Sequence, residues 1–361
     1  MNNKKGVYTL KFYDLLQLDP AGLKRLIDKS ESKKQRGFLW AAMFFRSILL
    51  VLFAIVFIAP LSSVFGKENN AMAVSMFCIL LAVRFVDFGY CIKDSLINLG
   101  IVFLLLLISP VLSYYVNPLF AFFIHFLSYI VILFITCDKP EMGNGGLYSF
   151  AYVFLCGNPV QGVLFFKRFL LTCFCFLICA AVFYKKHKGK HTDISFQSKI
   201  KQFDFYTKKH QWQIRMALGI SFILTLGAFF QLERYMWIGF ACGSLLSDHN
   251  FETKLKEKSM HRILGVLAGS ALFYVLYMLM PKSMHSMIGI FGGILLGLCS
   301  QYKHKTVLNC LGALMAATGI YGIQEAVILR ITDNLIGVVF AFLFFFVYEF
   351  LMEKLYQRKM A

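Results

Sequence analysis

Charged residues are scarce in this sequence, and acidic residues are the scarcer kind. Asp, Glu, Lys and Arg make up 16% of the 361 residues, against roughly 25% in a typical soluble domain. Hydrophobic residues make up 58%, including 40 Phe, and they form continuous apolar blocks of about 17–25 residues, the length with which an α-helix spans a bilayer. The scarcity of charge excludes an ordinary soluble domain. The sequence predicts an all-α polytopic membrane protein in contact with the lipid bilayer.

Sequence motifs for the common enzyme chemistries are missing. There is no G-x-x-x-x-G-K-[ST], so we expect no ATP-hydrolysing site of the chain's own, and no G-x-S-x-G or H-E-x-x-H. The ten Cys form no C-x-x-C and lie mostly in apolar runs such as "LLTCFCFLICAAVFY", where Cys usually packs as a small hydrophobe. We therefore expect no enzyme, no metal and no cofactor.

The net charge of +18 does not point to nucleic acid. Basic residues cluster at the N-terminus, between the two halves, in short loops and at the C-terminus, as they do in the cytoplasmic loops of membrane proteins. The loops on the other side, such as "SYYVNP" and "GNPVQG", are nearly uncharged. This asymmetry predicts that both termini are cytoplasmic and that no nucleic acid is bound.

The chain divides into five predicted segments. They are an amphipathic N-terminal segment, 1–37; a first transmembrane bundle, 38–184; a cytoplasmic linker, 185–213; a second bundle, 214–351; and a tail, 352–361. Each bundle contains six apolar blocks, and the fifth and eighth of the twelve are short. The predicted spans are 40–60, 71–88, 96–115, 118–137, 146–157, 163–184, 214–232, 235–247, 262–280, 284–301, 304–322 and 332–351.

The two halves resemble each other in order along the chain. "FRSILLVLFAIVF" opens the first and "IRMALGISFILTL" opens the second, which places Arg46 opposite Arg215. "KRFLLTCFCFLICAAVFY" and "LRITDNLIGVVFAFLFFFVY" close them, which places Arg168 opposite Arg330. Six spans in each half predict two six-helix bundles related as a parallel internal repeat, and transporters with such repeats often bind substrate at the repeat interface.

Ionisable residues within the apolar blocks are candidates for function, because each would cost about 2.5–3.5 kcal/mol at the centre of a helix in lipid. Basic side chains can bind an anion, and Asp333 or His125 can carry a proton. For Arg262 and Arg215 the alternative role is snorkelling or contact with lipid phosphate. For Arg330 with Asp333, three residues on, the alternative is a structural ion pair, and for His125 it is packing. The candidate substrate-binding residues are Arg46, Arg215, Arg262 and Arg330.

Glycines recur one helical turn apart in the second half. "RILGVLAG" contains Gly265 and Gly269, and "IGIFGGILLG" contains Gly289, Gly293 and Gly297. This spacing leaves a strip of bare backbone on one helix face, against which a neighbouring helix can pack closely. We expect these glycines to be helix-packing residues, and a strip that moves or lines a substrate path is compatible with that role.

The second half resembles the fusaric acid resistance, or aromatic acid exporter, family. The resemblance rests on "IRMALGIS", on "RILGVLAG", which is similar to the family's R-x-x-G-T-x-x-G segment with Val266 in place of the threonine, and on "LRITDNLIGVVFAF", which is similar to its R-x-x-D-x-x-x-G segment. The residues that match these patterns are Arg262, Gly265, Gly269, Arg330, Asp333 and Gly337. Gly337 thereby joins the candidate packing glycines. The first half fits the family only in outline.

The resemblance implies export of organic anions, of the aromatic carboxylic acid class, by a secondary transporter of the bacterial inner membrane. Such a transporter would use the proton gradient. The plant aluminium-activated malate transporters are distantly similar, and they imply a second hypothesis, a dimeric organic-anion channel. A non-transporting membrane protein of envelope assembly is the third. A small organic anion and a second copy of the chain, forming a homodimer, are the expected partners.

Overall fold

The computed structural model describes residues 11–249 and 251–360, and within them the chain is helical with connecting turns. The expectation of an all-α protein is confirmed for these residues. The helices in chain order are α1 (Phe12–Gln17), α2 (Pro20–Asp28), α3 (Lys33–Phe65), α4 (Asn70–Val83), α5 (Ile92–Tyr115), α6 (Pro118–Thr136), α7 (Asn144–Cys156), α8 (Gly162–His187), α9 (Phe196–Lys201), α10 (Lys208–Phe229), α11 (Met236–Leu246), α12 (Phe251–Leu279), α13 (His285–Leu298), α14 (Tyr302–Tyr321) and α15 (Ile323–Met360).

Twelve of these helices fall where the twelve apolar blocks lie, and the short ones are α1, α2 and α9. Seven helices in the described part of the chain, α3, α5, α6, α8, α10, α12 and α15, are long and apolar enough to cross a membrane. The other five, α4, α7, α11, α13 and α14, are shorter or less apolar. The multi-pass membrane class is therefore confirmed, and the exact number of crossings stays a prediction.

Helix α4 ends five residues before the predicted end of its span. After Val83 the chain makes a turn in which the backbone N–H of Gly89 donates to Oδ1 of Asp87 at 3.0 Å. Gly89 has a φ of 80°, a conformation that side chains with a Cβ rarely adopt. The local side-chain hydrogen bond and the glycine together stop the helix.

Helix α15 begins nine residues before its predicted span. The chain reverses at Gly322, whose φ is 81°, and α15 then runs for 38 residues from Ile323 to Met360. The residues "IQEAV" that open it include Gln324 and Glu325, which lower the average hydrophobicity of this first part. As a result Arg330 and Asp333 lie inside a helix, about two and three turns from its start, rather than in its first turn.

The helices form two compact units. Unit 1 comprises the described part of Met1–Val56 with Lys256–Thr332, and unit 2 comprises Phe57–Leu255 with the described part of Asp333–Ala361. Both units combine segments from the two sequence halves, so their boundaries differ from the predicted bundles 38–184 and 214–351. The two six-helix bundles related as a parallel repeat stay a prediction.

In unit 1 the N-terminal segment folds into two short helices that pack on the start of α3. Leu23 and Ile27 of α2 are buried in a cluster that also contains Leu15, Leu39, Ala42 and Met43, with Leu298 packed against it. Arg25 and Lys29, on the opposite face of α2, are exposed. This is the amphipathic pattern that the sequence predicts for the segment; its first ten residues lie outside the described range.

In unit 2 the core is built from α5, α6, α7, α10 and α11, with α10 packed along α6. Gln213 of α10 donates from Nε2 to the carbonyl oxygens of Leu133 and Cys137, both at 3.2 Å. Trp212, also on α10, packs on Gly145 of α7, and its indole N–H donates to the carbonyl oxygen of Leu246 at 3.1 Å. These contacts fix the register of α10 against α6 and α7, two helices from the first half of the chain, and against α11.

The polar segment between α8 and α10 lies on the loops of unit 2. Lys190 and His191 contact the carboxylate of Asp87 at 3.2 and 3.0 Å. The backbone N–H of Phe196 donates to Asp94 at 2.8 Å, and its ring lies 5.1 Å from that of Tyr90. The predicted linker is therefore fastened to the loops before and at the start of α5.

A second fastening lies further along the same segment. Lys199 and Lys209 both bind the carboxylate of Asp138 at 3.1 Å. Partial burial alone would raise the pKa of the Asp138 carboxyl, but the hydrogen bonds and charges of the two lysines outweigh it and hold the pKa below its usual range. Asp87 has a lowered pKa for the same reason, with Lys190 and His191 outweighing its burial.

Candidate functional site

A connected group of polar side chains lies inside the apolar core of unit 2. His125 of α6 is buried, and its Nδ1 lies 3.1 Å from the hydroxyl of Tyr152 on α7. The Tyr152 hydroxyl also interacts with the hydroxyls of Ser128 and Ser109, and Ser109 on α5 donates to Ser128 on α6 at 2.7 Å. Three helices thus contribute to one chain of hydroxyl and imidazole groups.

The same group extends sideways through Tyr129. Its ring stacks on that of Tyr152 with centroids 5.4 Å apart, and its hydroxyl donates to the carbonyl oxygen of Gly145 at 3.3 Å. Ser149 of α7 also interacts with the Tyr129 hydroxyl. We call these residues the His125 network (Ser109, His125, Ser128, Tyr129, Ser149 and Tyr152). Hydrogen bonds between groups that both donate and accept join His125, Tyr152, Ser128 and Ser109, and Tyr129 with Ser149 joins them through ring stacking.

Arg215 forms an ion pair at one end of the core of unit 2. Its Nη1 donates to Oε1 of Glu349 at 2.9 Å, and its guanidinium lies 4.9 Å from the ring centroid of Phe345. The Arg215 side chain is 5% exposed and that of Glu349 39%, so the pair is open to solvent or headgroups on the acidic side only. Charge pairing and contact with an aromatic face both stabilise the arginine there.

In unit 1, Arg46 and Arg262 lie towards the same end. Ser47 donates to the carbonyl oxygen of Ile294 at 2.5 Å, which places the half-buried Arg46 level with the last turns of α13. Arg262 is buried, and its Nη1 donates to the hydroxyl of Tyr302, the first residue of α14, at 3.3 Å. Both arginines therefore belong to the end of unit 1 where α13 turns into α14.

Arg330 lies towards the other end of unit 1, because α14 runs its full length before α15 begins at Ile323. The side chain of Arg330 is buried, as are those of Asp333 and Asn334, which follow on the same helix but belong to unit 2. They follow one another on α15, and Arg330 and Asp333, three residues apart, share a helix face. Within unit 1 the structure thus divides the candidate arginines between two ends instead of gathering them at one point.

Arg168, the sequence counterpart of Arg330, is the largest fully buried side chain of the described residues, at 1% exposure. It lies in the second turn of α8. Its Nε donates to Oδ1 of Asn69 at 2.8 Å, Nη1 to the carbonyl oxygen of Asn158 at 2.9 Å, and Nη2 to that of Glu68 at 3.0 Å. One guanidinium thereby ties α8 to the loop before α4 and the loop after α7.

The glycines of "RILGVLAG" lie where α12 meets α14. A methyl group on Gly265 would lie 2.8 Å from Cβ of Thr306, and one on Gly269 would lie 2.9 Å from Cβ of Cys310 and against the carbonyl oxygen of Val307. These separations are shorter than van der Waals contact. Both positions therefore require glycine for the two helices to approach as closely as they do.

The glycines of α13 differ among themselves. Gly297 lies against Ser47, and a Cβ on Gly297 would lie 2.8 Å from the Cβ of that serine. A Cβ on Gly293 would lie 3.4 Å from Val51 and one on Gly289 would lie 3.9 Å from Met315, which are ordinary contacts. The close approach to α14 is made instead by Gly292, whose missing Cβ would lie 2.9 Å from Cβ of Leu311.

Gly337, the last glycine of the motif in α15, lies in unit 2. A methyl group there would lie 2.5 Å from the carbonyl oxygen of Ile238 and 2.6 Å from Cβ of Ala241. Gly337 is therefore the point at which α15 packs directly on the backbone of α11.

These features define a class of protein before they identify a family. Long apolar helices, a buried polar network among them and paired charges at their ends describe a multi-pass membrane protein. In residues 11–249 and 251–360 no group of three or more His, Cys, Asp or Glu is arranged to hold a metal ion.

One region of the chain matches a known family of sequences. Residues 219–344 match the family described as fusaric acid resistance protein-like, which confirms the resemblance that the sequence motifs indicated. The matched region covers α10 from Gly219 to most of α15, including the two arginine motifs, and the family points to a transport or efflux role in the membrane. No curated protein and no solved structure matches the chain.

Sequence reasoning missed several residues of these sites. The partners of His125 and Arg215 are 27 and 134 residues away along the chain, so no local pattern joins them. A usable indication was present in the serine and tyrosine residues inside otherwise apolar runs, such as "HFLSY" and "YSFAY". Hydroxyls at such positions need partners, because an unpaired polar group costs free energy in an apolar environment.

Proposed function

We propose that this protein is a secondary transporter that exports organic anions, of the aromatic carboxylic acid class, and that the proton gradient drives the export. The observation that carries the proposal is the His125 network. A buried polar array in the middle of membrane-spanning helices is expensive, and such residues in membrane proteins mark proton relays and substrate pathways. The family match to residues 219–344 supports a transport role independently.

The arginines supply the anion chemistry of this proposal. A carboxylate accepts paired, charge-assisted hydrogen bonds from a guanidinium. Arg46 and Arg262 at one end of unit 1 attract the anion where it enters, and Arg330 receives it towards the other end. Arg215, paired with Glu349 in unit 2, can bind a carboxylate by exchanging one carboxylate partner for another.

Two groups are placed to carry the proton. His125 is linked through the Tyr152 hydroxyl to Ser128 and Ser109, and Asp333 is buried one helical turn from Arg330 and one turn from Gly337. Protonation of Asp333 changes the net charge beside Arg330, so the state of the proton site and the affinity of the anion site depend on each other.

The test is transport in proteoliposomes. We expect the wild-type protein to accumulate a radiolabelled aromatic carboxylate against its gradient when a pH gradient is imposed. His125→Gln and Asp333→Asn should each lower this flux at least tenfold and leave exchange of labelled for unlabelled substrate in place, because exchange needs no net proton movement. His304→Gln, at an exposed histidine, is the matched control and should behave as wild type.

Three results would overturn the proposal. Wild-type flux that does not respond to the pH gradient would exclude proton coupling. Unitary currents of many ions per opening in planar bilayers would replace the exporter with the organic-anion channel, and absence of flux for a broad panel of anions would move the assignment to a non-transporting protein.

A further inference from the structure

A cavity of about 380 Å³ lies between α5 and α8 in unit 2. On α5 it is lined by Gly100, Phe103, Leu104 and Leu107, which lie on one side of the helix over two turns, a length of roughly 10 Å. Gly100 has no side chain, so the ring of Phe176 on α8, 3.6 Å from where a Cβ would lie, forms the wall opposite it. The missing side chain thus contributes to the space between the two helices.

The chemistry of the lining excludes polar ligands. The residues of α8 that line the cavity are Phe169, Thr172, Cys173, Phe176 and Leu177. Only apolar surface faces the cavity, because the hydroxyl of Thr172 donates to the carbonyl oxygen of Arg168, in its own helix, at 2.7 Å. A carboxylate or a sugar placed there would find no hydrogen-bond partner, which is costly. The cavity therefore takes hydrocarbon and excludes the carboxylate of the proposed transport substrate.

The cavity opens sideways, away from the core of unit 2. Phe103, Leu107 and Thr172 form its floor and are buried, whereas Leu104 and Leu177 at its rim are 50% and 66% exposed. Both α5 and α8 are long and apolar enough to cross a membrane. The opening is therefore continuous with the surface that these two helices present to lipid.

The depth of the cavity follows from the positions of its lining along the two helices. Residues 100–107 lie in the middle of α5 (Ile92–Tyr115), and residues 169–177 lie in the middle of α8 (Gly162–His187). The hydrocarbon core of a bilayer is about 30 Å thick, so each leaflet contributes about 15 Å. The cavity lies near the level at which the two leaflets meet, where the ends of the acyl chains are found.

Volume distinguishes between the apolar occupants. A helix of a second copy, over the same stretch of about 10 Å and with a width of about 10 Å, would fill roughly 800 Å³, about twice the 380 Å³ of the cavity. An acyl chain is thinner and flexible, and it is supplied by the surrounding lipid. Inside a bilayer, packing rather than the hydrophobic effect drives association, and a chain that fills the cavity gains dispersion contacts with both helices.

We propose that the cavity between α5 and α8 binds the terminal part of a phospholipid acyl chain. Because the lining is apolar and lies near the centre of the membrane, recognition depends on the chain and is independent of the headgroup. The site is separate from the proposed transport route, since its lining contains no residue of the His125 network and none of the candidate arginines.

The experiment uses the full chain in proteoliposomes and a phosphatidylcholine that carries a photoreactive diazirine near the end of one acyl chain. Mass spectrometry of peptides measures the labelling of Phe176, in the cavity, relative to that of Leu170, which is 42% exposed on α8 outside it. We expect this ratio to be at least fivefold higher than with a diazirine placed beside the chain carbonyl, and equal for phosphatidylglycerol with the same chain-end diazirine.

Gly100→Leu should lower the ratio at least fivefold, because the leucine side chain occupies the cavity. The matched control is Gly312→Leu, at an exposed glycine of α14 where a Cβ would meet nothing within 4 Å, and it should keep the wild-type ratio. If Gly100→Leu melts early, Cys173→Phe decides instead. Cys173 is exposed at the rim, so a larger side chain narrows the opening without entering the core, and this variant should lower the ratio while it melts as wild type.

Four outcomes would overturn the proposal. An unaltered ratio in a folded Gly100→Leu or Cys173→Phe variant would place the acyl chain elsewhere, and equal labelling by the two diazirine positions would exclude a site for chain ends. Loss of labelling in excess aromatic carboxylate would assign the cavity to the transported anion. Disulfide-linked dimers formed through Cys173 on oxidation would show that a second copy covers the opening.

Discussion

Replacement of Arg168 by methionine is the sharpest test of how unit 2 is held together. The substitution keeps most of the side-chain volume but removes all the donors of the guanidinium. Three acceptors lose their partner at once: Oδ1 of Asn69 and the carbonyl oxygens of Glu68 and Asn158. The loop before α4 and the loop after α7 are then no longer connected through α8.

The magnitude follows from the hydrogen bonds. A hydrogen bond to a charged group contributes about 1.5–3 kcal/mol, so three of them set an upper limit of roughly 9 kcal/mol. The two carbonyl oxygens are only partly buried and can take other donors, and methionine no longer requires burial of a charge. We therefore expect a net loss of about 3–5 kcal/mol, which corresponds to a fall in melting temperature on the order of 10 °C.

The assay is thermal melting of the fluorescently tagged protein in one detergent, followed by size-exclusion chromatography. Lys167→Met, at the neighbouring half-buried lysine, is the control and should change the melting temperature little. Arg168→Lys should fall between the two, because one ammonium group keeps the charge but does not reach all three acceptors. If Arg168→Met and Lys167→Met melt together, the clamp described for Arg168 does not stabilise the fold.

Three further predictions concern Asp138, Glu349 and the glycines. The carboxylate of Asp138 holds the linker through Lys199 and Lys209. Because the pKa of Asp138 is lowered, this attachment is complete at pH values above the usual carboxylate range and is lost as the pH falls through the lowered pKa. Asp138→Asn should remove this pH dependence, which is measured as the rate of proteolysis of the linker. Glu349→Gln should cost about 1–3 kcal/mol, because it leaves the buried Arg215 without its carboxylate while the exposure of Glu349 screens part of the effect; an unchanged melting temperature would contradict the ion pair. Gly269→Leu should cost more than Gly289→Leu, by about 1–3 kcal/mol of overpacking, and equal melting of the two variants would refute the close approach of α12 to α14.

The apolar blocks of the sequence predicted the helices well, because the length and hydrophobicity of a block decide whether it can form a buried or spanning helix. The errors lie at the helix ends, where polar detail decides. The turn at Asp87 and Gly89 ends α4 early, and the turn at Gly322 starts α15 nine residues before its predicted span. These are local backbone conformations that an average over a window of residues does not detect.

The candidate site was less predictable for a different reason. His125 could be singled out from its place in an apolar run, but its hydrogen bonds depend on how α5, α6 and α7 are rotated about their axes, and helix rotation is set by packing across the whole core. The glycines of α13 make the same point: the spacing indicated Gly289 and Gly293, and the phase of the helix made Gly292 the contact residue.

The packing of α10 on α6 has a consequence for how the chain is made. Residues 118–156 leave the ribosome and enter the membrane well before residues 208–229, so the groups that Trp212 and Gln213 will cover spend that interval without their final partners. The backbone carbonyls of Leu133 and Cys137 and the bare surface of Gly145 are then open to lipid, water or another chain. Membrane insertion and assembly factors that shelter α6 and α7 during this wait should therefore matter more for this protein than for one whose halves each close as they are synthesised.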